Sequence, residues 1–294
     1  MKKLFGLLLV LFVVGGAQGA FANNYCDPCY DPCCDFHVSV YGDYLYWKGC
    51  RTDLDYSLDD DNTYYVNPGY DSGWRVGGRL QRCNWDLGAR YTSYDSKTKV
   101  HETTPRVSTD TDFTYSVDYD VADIELGYSI QLCCDQALIR PFLGAKLAWI
   151  DEAYIYSTSD RTETDDKRFE GYGLYAGLEG EFQIYQLNMC QQCIPMSLIG
   201  RGSLAALDSH QKEISTEDGG EFNSQRIREE QCIIVPVLEV FAGLNFGGVQ
   251  CGCVTPSVLI GYEAQLWGNR RFDDNDEIAF LGFSGLVARL SLDY

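Results

Sequence analysis

Apolar and polar residues alternate one for one along much of this chain. Trp74, Val76, Gly78 and Leu80 alternate with Arg75, Gly77, Arg79 and Gln81. After a turn at Cys83, Trp85, Leu87, Ala89 and Tyr91 alternate with Asp86, Gly88, Arg90 and Thr92. A period of two places successive side chains on opposite faces of a strand. The same rhythm runs through His37–Trp47, Asp123–Ile130, Ile139–Trp149, Tyr172–Ile184, Ile194–Ala206, Ile234–Phe246, Val254–Leu266 and Ile278–Tyr294. The pattern therefore predicts about ten strands, each long enough to cross a bilayer at a tilt, which takes about 9–11 residues.

The gaps between these runs alternate strictly. Lys48–Ser72 is long, Arg82–Asn84 short, Asp95–Asp118 long and Gln131–Ala137 short, and the alternation continues through Asp151–Glu170, Leu207–Gln231 and Gly268–Ala279. Such spacing predicts an all-β fold: an antiparallel up-and-down transmembrane β-barrel with both termini on the short-turn, periplasmic side. Strand-end aromatics (Tyr44, Tyr46, Trp47, Trp74, Trp85, Tyr91, Trp149 and Trp267) fit two interfacial girdles. Twelve strands result if Glu102–Tyr119 and Ala153–Ser159 add a pair. A soluble secreted β-sandwich rich in disulfides would show the same alternation and is the competing architecture.

The amino terminus changes the picture by placing the chain outside the cytoplasm. Lys2 and Lys3 precede an apolar run from Leu4 to Val14 and a small-residue stretch ending Ala20-Phe21-Ala22. That is a cleavable secretory signal over residues 1–22. A Cys/Pro-rich periplasmic tail follows at 23–36, and the outer-membrane barrel is expected at 37–294. The formal net charge of −20 is carried mostly by the five long gaps. It argues against a nucleic-acid partner and for well-solvated outer loops.

Export makes disulfides the default chemistry for the 13 cysteines. Cys26, Cys29, Cys33 and Cys34 lie in the tail, and Cys83, Cys133, Cys134, Cys190, Cys193, Cys251 and Cys253 lie in short turns. In an up-and-down barrel these form a belt on one rim. Cys50 and Cys232 flank long acidic gaps on the other rim. Many strands are expected between those two, so a bridge between them requires Lys48–Ser72 to fold across the mouth. The odd total leaves at least one thiol free or bonded to another chain. Cys26/Cys29 and Cys190/Cys193 have metal-ligand spacing, but a zinc site needs two such pairs brought together, so no metal or other cofactor is expected. The tail can staple itself to the barrel's own turns or crosslink neighbouring copies and other Cys-rich envelope proteins.

The polar half of each strand faces the lumen of a membrane barrel. Candidate lumen residues are the cations Arg75, Arg79, Arg90, Arg140, Lys146, Arg201 and Arg289. The matching acids are Asp43, Asp86, Asp123, Glu125, Glu179, Glu181, Glu239 and Glu263. They can line a narrow polar channel behind an acidic vestibule, or they can close the lumen by pairing. About eight strands leave room only for packed side chains, so ten strands are marginal for a free channel. His101 and His210 lie in long gaps without a nucleophile motif, so no enzyme is expected.

Several of these runs resemble the major outer membrane proteins of Legionella and the porin-like proteins of chlamydia-like bacteria. The stretch Tyr41-Gly-Asp-Tyr-Leu-Tyr-Trp47 resembles their opening strand, as does Gly73–Gly78 followed by Asn84–Thr92. The longest likeness is Val117–Gly127 running into Ile139–Asp151. The resemblance implies an abundant, disulfide-crosslinked barrel in the bacterial outer membrane, acting as a porin-like channel for small polar solutes and as an envelope element. A closed-lumen structural or adhesive barrel is the alternative, and assembly into a homo-oligomer such as a trimer is left open. Its solvent partner is outer-membrane lipid.

Overall fold

The computed structural model describes residues 36–51, 55–59, 62–65, 67–104, 109–132, 136–158, 161–189, 192–219, 224–248, 254–268 and 280–294. The signal segment expected at 1–22 and nearly all of the tail expected at 23–36 lie outside these residues. The strands are β1 (Phe36–Arg51), β2 (Asp55–Asp59), β3 (Asn62–Tyr65), β4 (Tyr70–Arg82), β5 (Trp85–Thr104), β6 (Thr109–Tyr128) and β7 (Ile130–Leu132). They continue with β8 (Ala137–Ser157), β9 (Thr162–Met189), β10 (Gln192–Asp218), β11 (Ser224–Gly247), β12 (Thr255–Trp267) and β13 (Leu281–Asp293).

Ten of these strands pair in the order β6-β5-β4-β1-β13-β12-β11-β10-β9-β8, and β6–β8 pairing closes the ring. Every pairing is antiparallel. The short β7 extends the line of β6 along β8, and β2–β3 is a separate small hairpin in the first long gap. Val38 and Tyr294 exchange backbone hydrogen bonds of 3.0 and 2.7 Å, so the first and last strands end together at the short-turn rim.

The ring has ten strands, not twelve. Glu102–Tyr119 and Ala153–Ser159 add no strand, because the stretches of them that are described are outward extensions of β5, β6 and β8. Three of the long gaps are mostly continuous hairpin rather than loop. Pairing runs on from Asp95↔Asp118 to Thr104↔Thr109, from Asp151↔Arg168 to Ser157↔Thr162, and from Asp208↔Ile234 to Glu217↔Ser224. Beyond the lipid both faces of a strand can be polar, so the alternation fades while backbone pairing persists.

The outer face carries an apolar belt that includes Leu143, Leu174, Leu204, Ile260, Leu286 and Leu290, all strongly exposed in the isolated chain. Tyr44, Tyr46, Trp74 and Trp85 stand on this face as girdle residues should. Two expected girdle members do not. Trp47 and Trp267 are fully buried inside the ring. Their parity decides it: Trp47 is in step with Asp43 and Leu45, and Trp267 with Glu263 and Gln265. Tyr91 is on the outer face but sealed beneath Trp74, its phenol donating to Asp120 at 2.7 Å. The expected separation of Cys50 from Cys232 is also corrected, since only β13 and β12 stand between β1 and β11.

A cation placed mid-belt tests the lipid-facing assignment. Ile260→Arg should lower unfolding free energy by about 2–4 kcal/mol in urea titrations of vesicle-embedded protein. A cost near zero would contradict a lipid contact there.

Candidate functional site

The functional question lies in the lumen, where the alternation delivers one side chain in two from every strand. Each of the ten barrel strands contributes a member to the buried charge clusters. Asp43 on β1 accepts from Arg289 on β13 at 2.7 and 3.0 Å, and from Arg75 on β4 at 3.4 Å. Arg75 reaches on to Glu263 on β12 through two parallel 2.9 Å bonds, and its Nε donates to Thr92 at 2.9 Å. Such fork-to-fork pairing is the strongest form of a guanidinium–carboxylate contact.

A second cluster spans the ring from β5 to β11. Arg90 donates to Asp123 at 2.5 Å and to Glu239 at 2.8 Å, while Lys146 lies 2.8 and 2.7 Å from the same two acids. A third lies nearer the short turns. Arg140 is held by Asp86 and by Glu125 at 2.9 Å, Arg201 by Glu125 at 2.5 Å and Glu179 at 3.1 Å, and Arg79 by Glu179 at 3.2 Å. Tyr175 donates to Glu125 at 3.0 Å. The structure thus brings together every lumen candidate except Glu181, which lines the adjoining cavity. That cavity has a volume of about 230 Å³ and opens toward the short-turn rim past Ser39, Ser291 and Asp293.

Above the charges, on the long-hairpin side, lies an aromatic layer. Trp47, Tyr94, Tyr119, Phe169, Trp267 and Phe283 come from six different strands and are at most 1% exposed. Tyr119 is central, with ring centroids 4.7 Å from Phe283, 5.7 Å from Trp267 and 6.2 Å from Trp47. Its hydroxyl donates to Gln265 at 2.7 Å, and the Tyr94 hydroxyl donates to the Trp47 carbonyl at 3.0 Å. Leu207, Val235 and Ile150, all fully buried, complete the layer from β10, β11 and β8. Glycines on the inner face give the rings room. A Cβ on Gly144 would lie 2.5 Å from the Tyr175 ring and 2.3 Å from a backbone oxygen of β6.

Farther out, Glu152 pairs with Arg51, and Lys167 lies 3.5 Å from Glu213. Burial pushes the Glu213 carboxyl above the usual carboxylate range, and the Lys167 ammonium only partly offsets this. His101 is exposed and bonded to exposed Asp112 at 2.7 Å on the outer β5–β6 hairpin. Sequence reasoning missed the aromatic layer, although the parity of Trp47 with Asp43 carried the signal.

Of the cysteines, Cys50 is exposed on the outer face and Cys83 is exposed in the β4–β5 turn. Cys83 has a φ of 53°, a left-handed conformation that disfavours any residue with a Cβ. Cys193 and Cys232 fall on β10 and β11. Cys26, Cys29, Cys33, Cys34, Cys133, Cys134, Cys190, Cys251 and Cys253 lie outside the described residues.

A closed antiparallel ring with an apolar exterior, a charged interior and an even strand number is an outer-membrane β-barrel. Residues 28–273 match the family described as Legionella pneumophila major outer membrane protein precursor. The chain belongs to that family, which places it in the outer membrane. Among solved structures it is similar to the outer membrane protease OmpT of Escherichia coli, at 9% identity and a TM-score of 0.50, covering 88% of this chain and 98% of that one. The toluene transporter TodX of Pseudomonas putida matches at 9% identity and a TM-score of 0.38, covering 88% and 89%. The attachment invasion locus protein Ail of Yersinia pestis matches at 13% identity and a TM-score of 0.28, covering 88% and 99%. No curated protein matches. At these identities the likeness to OmpT supports the fold alone.

Removing one cation from a buried cluster strands its acids. Arg75→Met should cost about 3–5 kcal/mol in detergent-micelle unfolding. Adding Glu263→Gln should recover part of that loss, whereas additive losses would mean the two side chains are uncoupled.

Proposed function

We propose that this protein is a structural barrel of the outer membrane whose lumen is closed at rest, fixed in the envelope by cysteines on its short-turn rim. The aromatic layer carries this reading. Six large rings from six strands meet at van der Waals range, and a filled layer of that kind leaves no water path between the cavity below and the hairpins above. The ion-paired clusters beneath reinforce it, because their charges are spent on one another rather than offered to a permeant. The small-solute channel expected from the sequence therefore depends on displacing Tyr119 and its neighbours. The acidic outer hairpins would then favour cations. No catalytic role is assigned.

The rim assignment rests on the cysteine belt. Cys83 keeps a strained backbone conformation at a turn where glycine would relieve it, which is consistent with a requirement for its thiol. In this reading the short-turn rim and both termini face the periplasm, and disulfides link the barrel to its own tail, to further copies or to other Cys-rich envelope proteins.

Planar-bilayer recordings of refolded protein test the closed lumen. Wild type should show no steady conductance. The double variant Tyr119→Ala/Trp267→Ala should conduct, with cations preferred over anions. Steady wild-type conductance would overturn the proposal. Nonreducing electrophoresis of native envelopes tests the crosslinks: high-mass species should collapse to monomer on reduction, and their absence would remove the anchoring role.

A further inference from the structure

The apolar belt is not uniform around the ring. Across β12 and β13 the outward positions Ala264, Gly282 and Ser284 are small, while Leu238, Leu266 and Phe280 stand up around them, 36–42% exposed. The result is a groove of about 310 Å³ on the outer face. Its floor is open: a Cβ on Gly282 would meet only backbone oxygens of Gln265 and Cys50, at 3.5 and 3.6 Å. One end is marked by polar groups. Lys48 is in register with Ser284, and exposed Cys50 with Gly282, so the groove ends at the water boundary on the long-hairpin side. The Lys48 ammonium is held there by Asn67.

We infer that this groove is a binding site for a single acyl chain of a membrane lipid. It is continuous with the lipid-facing belt, which fixes the surrounding medium as hydrocarbon. Its lining is almost wholly apolar, so a headgroup or a polar ligand would lose its hydrogen bonds there. Burial from water drives nothing inside a bilayer, and the preference comes from packing. A smooth sheet face touches a passing chain on one side, whereas the groove touches it on three, and each added close contact contributes dispersion energy. The chain enters from the leaflet adjoining Lys48 and lies along β12.

Photolabelling tests this with the full chain in phospholipid vesicles doped with a phosphatidylethanolamine carrying a diazirine on one acyl chain. Label should be enriched several-fold on Leu238, Leu266 and Phe280 over Leu143 and Leu174, which face lipid on the far side of the ring. Gly282→Leu fills the groove from its floor and should abolish the enrichment while heat-modifiable mobility shows an intact barrel. Ser284→Leu carries the same expectation if Gly282→Leu does not fold. Even labelling around the belt would overturn the site. So would a groove spared by label in vesicles where crosslinking joins two copies through β12 and β13, since a second chain would then be the occupant.

Discussion

Ring closure is the constraint on which everything else in this molecule depends. Inside a bilayer an unpaired backbone amide or carbonyl costs several kcal/mol, so a sheet can cross only if its first and last strands meet. Here β1 meets β13 along thirteen residue pairs, from Ser39↔Asp293 to Arg51↔Leu281. Once the ring is closed, strand number sets its width, and the interior must be filled by side chains or by water. Ten strands give an interior that large side chains can still span. The lumen residues accordingly include arginines, tyrosines, tryptophans and phenylalanines, with Gly77, Gly144 and Gly177 opposite the Tyr41, Tyr175 and Phe142 rings.

Two fillings divide that interior, and they are held by different physics. The charged clusters are costly to assemble, since each ion loses several kcal/mol of hydration that only well-made pairs restore. Their geometry is therefore a specification as much as a source of stability. A one-residue slip of any strand would turn its lumen charge to the lipid and leave partners on two or three other strands stranded. Glu239 on β11 is matched to Arg90 on β5 and Lys146 on β8, so register errors on one side of the ring are felt on the other. The aromatic layer works without that cooperativity. Its rings pack edge to face and tilted at 4.7–6.2 Å, a spacing at which each pair adds about 0.5–1.5 kcal/mol beyond its buried area.

The membrane part of this architecture was legible because lipid imposes a period of two. Runs such as Trp74–Gln81 and Trp85–Thr92 state which residue faces which medium, and Arg75, Arg90 and Glu263 could be placed inward from parity alone. The outer hairpins were not legible for the same reason in reverse. On β5 beyond Tyr94, Asp95, Lys97 and Lys99 are exposed on one face and polar Ser96 and Thr98 occupy the other, so pairing leaves no hydropathic trace. Trp47 and Trp267 were misplaced because an aromatic at a strand end fits a girdle by composition. Only its parity with Asp43 or Glu263 distinguishes a plug residue from a girdle residue. The partner choices within the clusters were out of reach altogether. Arg75 meets Glu263 at a separation of 188 residues, and that follows from ring order and stagger rather than from spacing along the chain.

The order of the two fillings along the axis bears on what the barrel can do. On β1, β5, β6, β12 and β13 alike, the charged residue lies toward the short turns and the ring residue toward the long hairpins: Asp43 below Trp47, Arg90 below Tyr94, Asp123 below Tyr119, Glu263 below Trp267, Arg289 below Phe283. A solute entering from the hairpin side passes the Arg51–Glu152 and Lys167–Glu213 pairs and then meets an apolar layer before it reaches the three charge clusters below. A hydrated ion would have to shed water against rings that return little of it. From the other side the cavity admits water to the charges and stops at the same seal. If the lumen is closed as proposed, opening it requires breaking aromatic packing, which no change of pH or salt weakens much, rather than switching the ion pairs below it. A protein built to pass solutes on demand would place its titratable groups at the constriction. Here the three charge clusters lie beneath the aromatic layer, so the proposed closed lumen rests on ring packing rather than on the ion pairs.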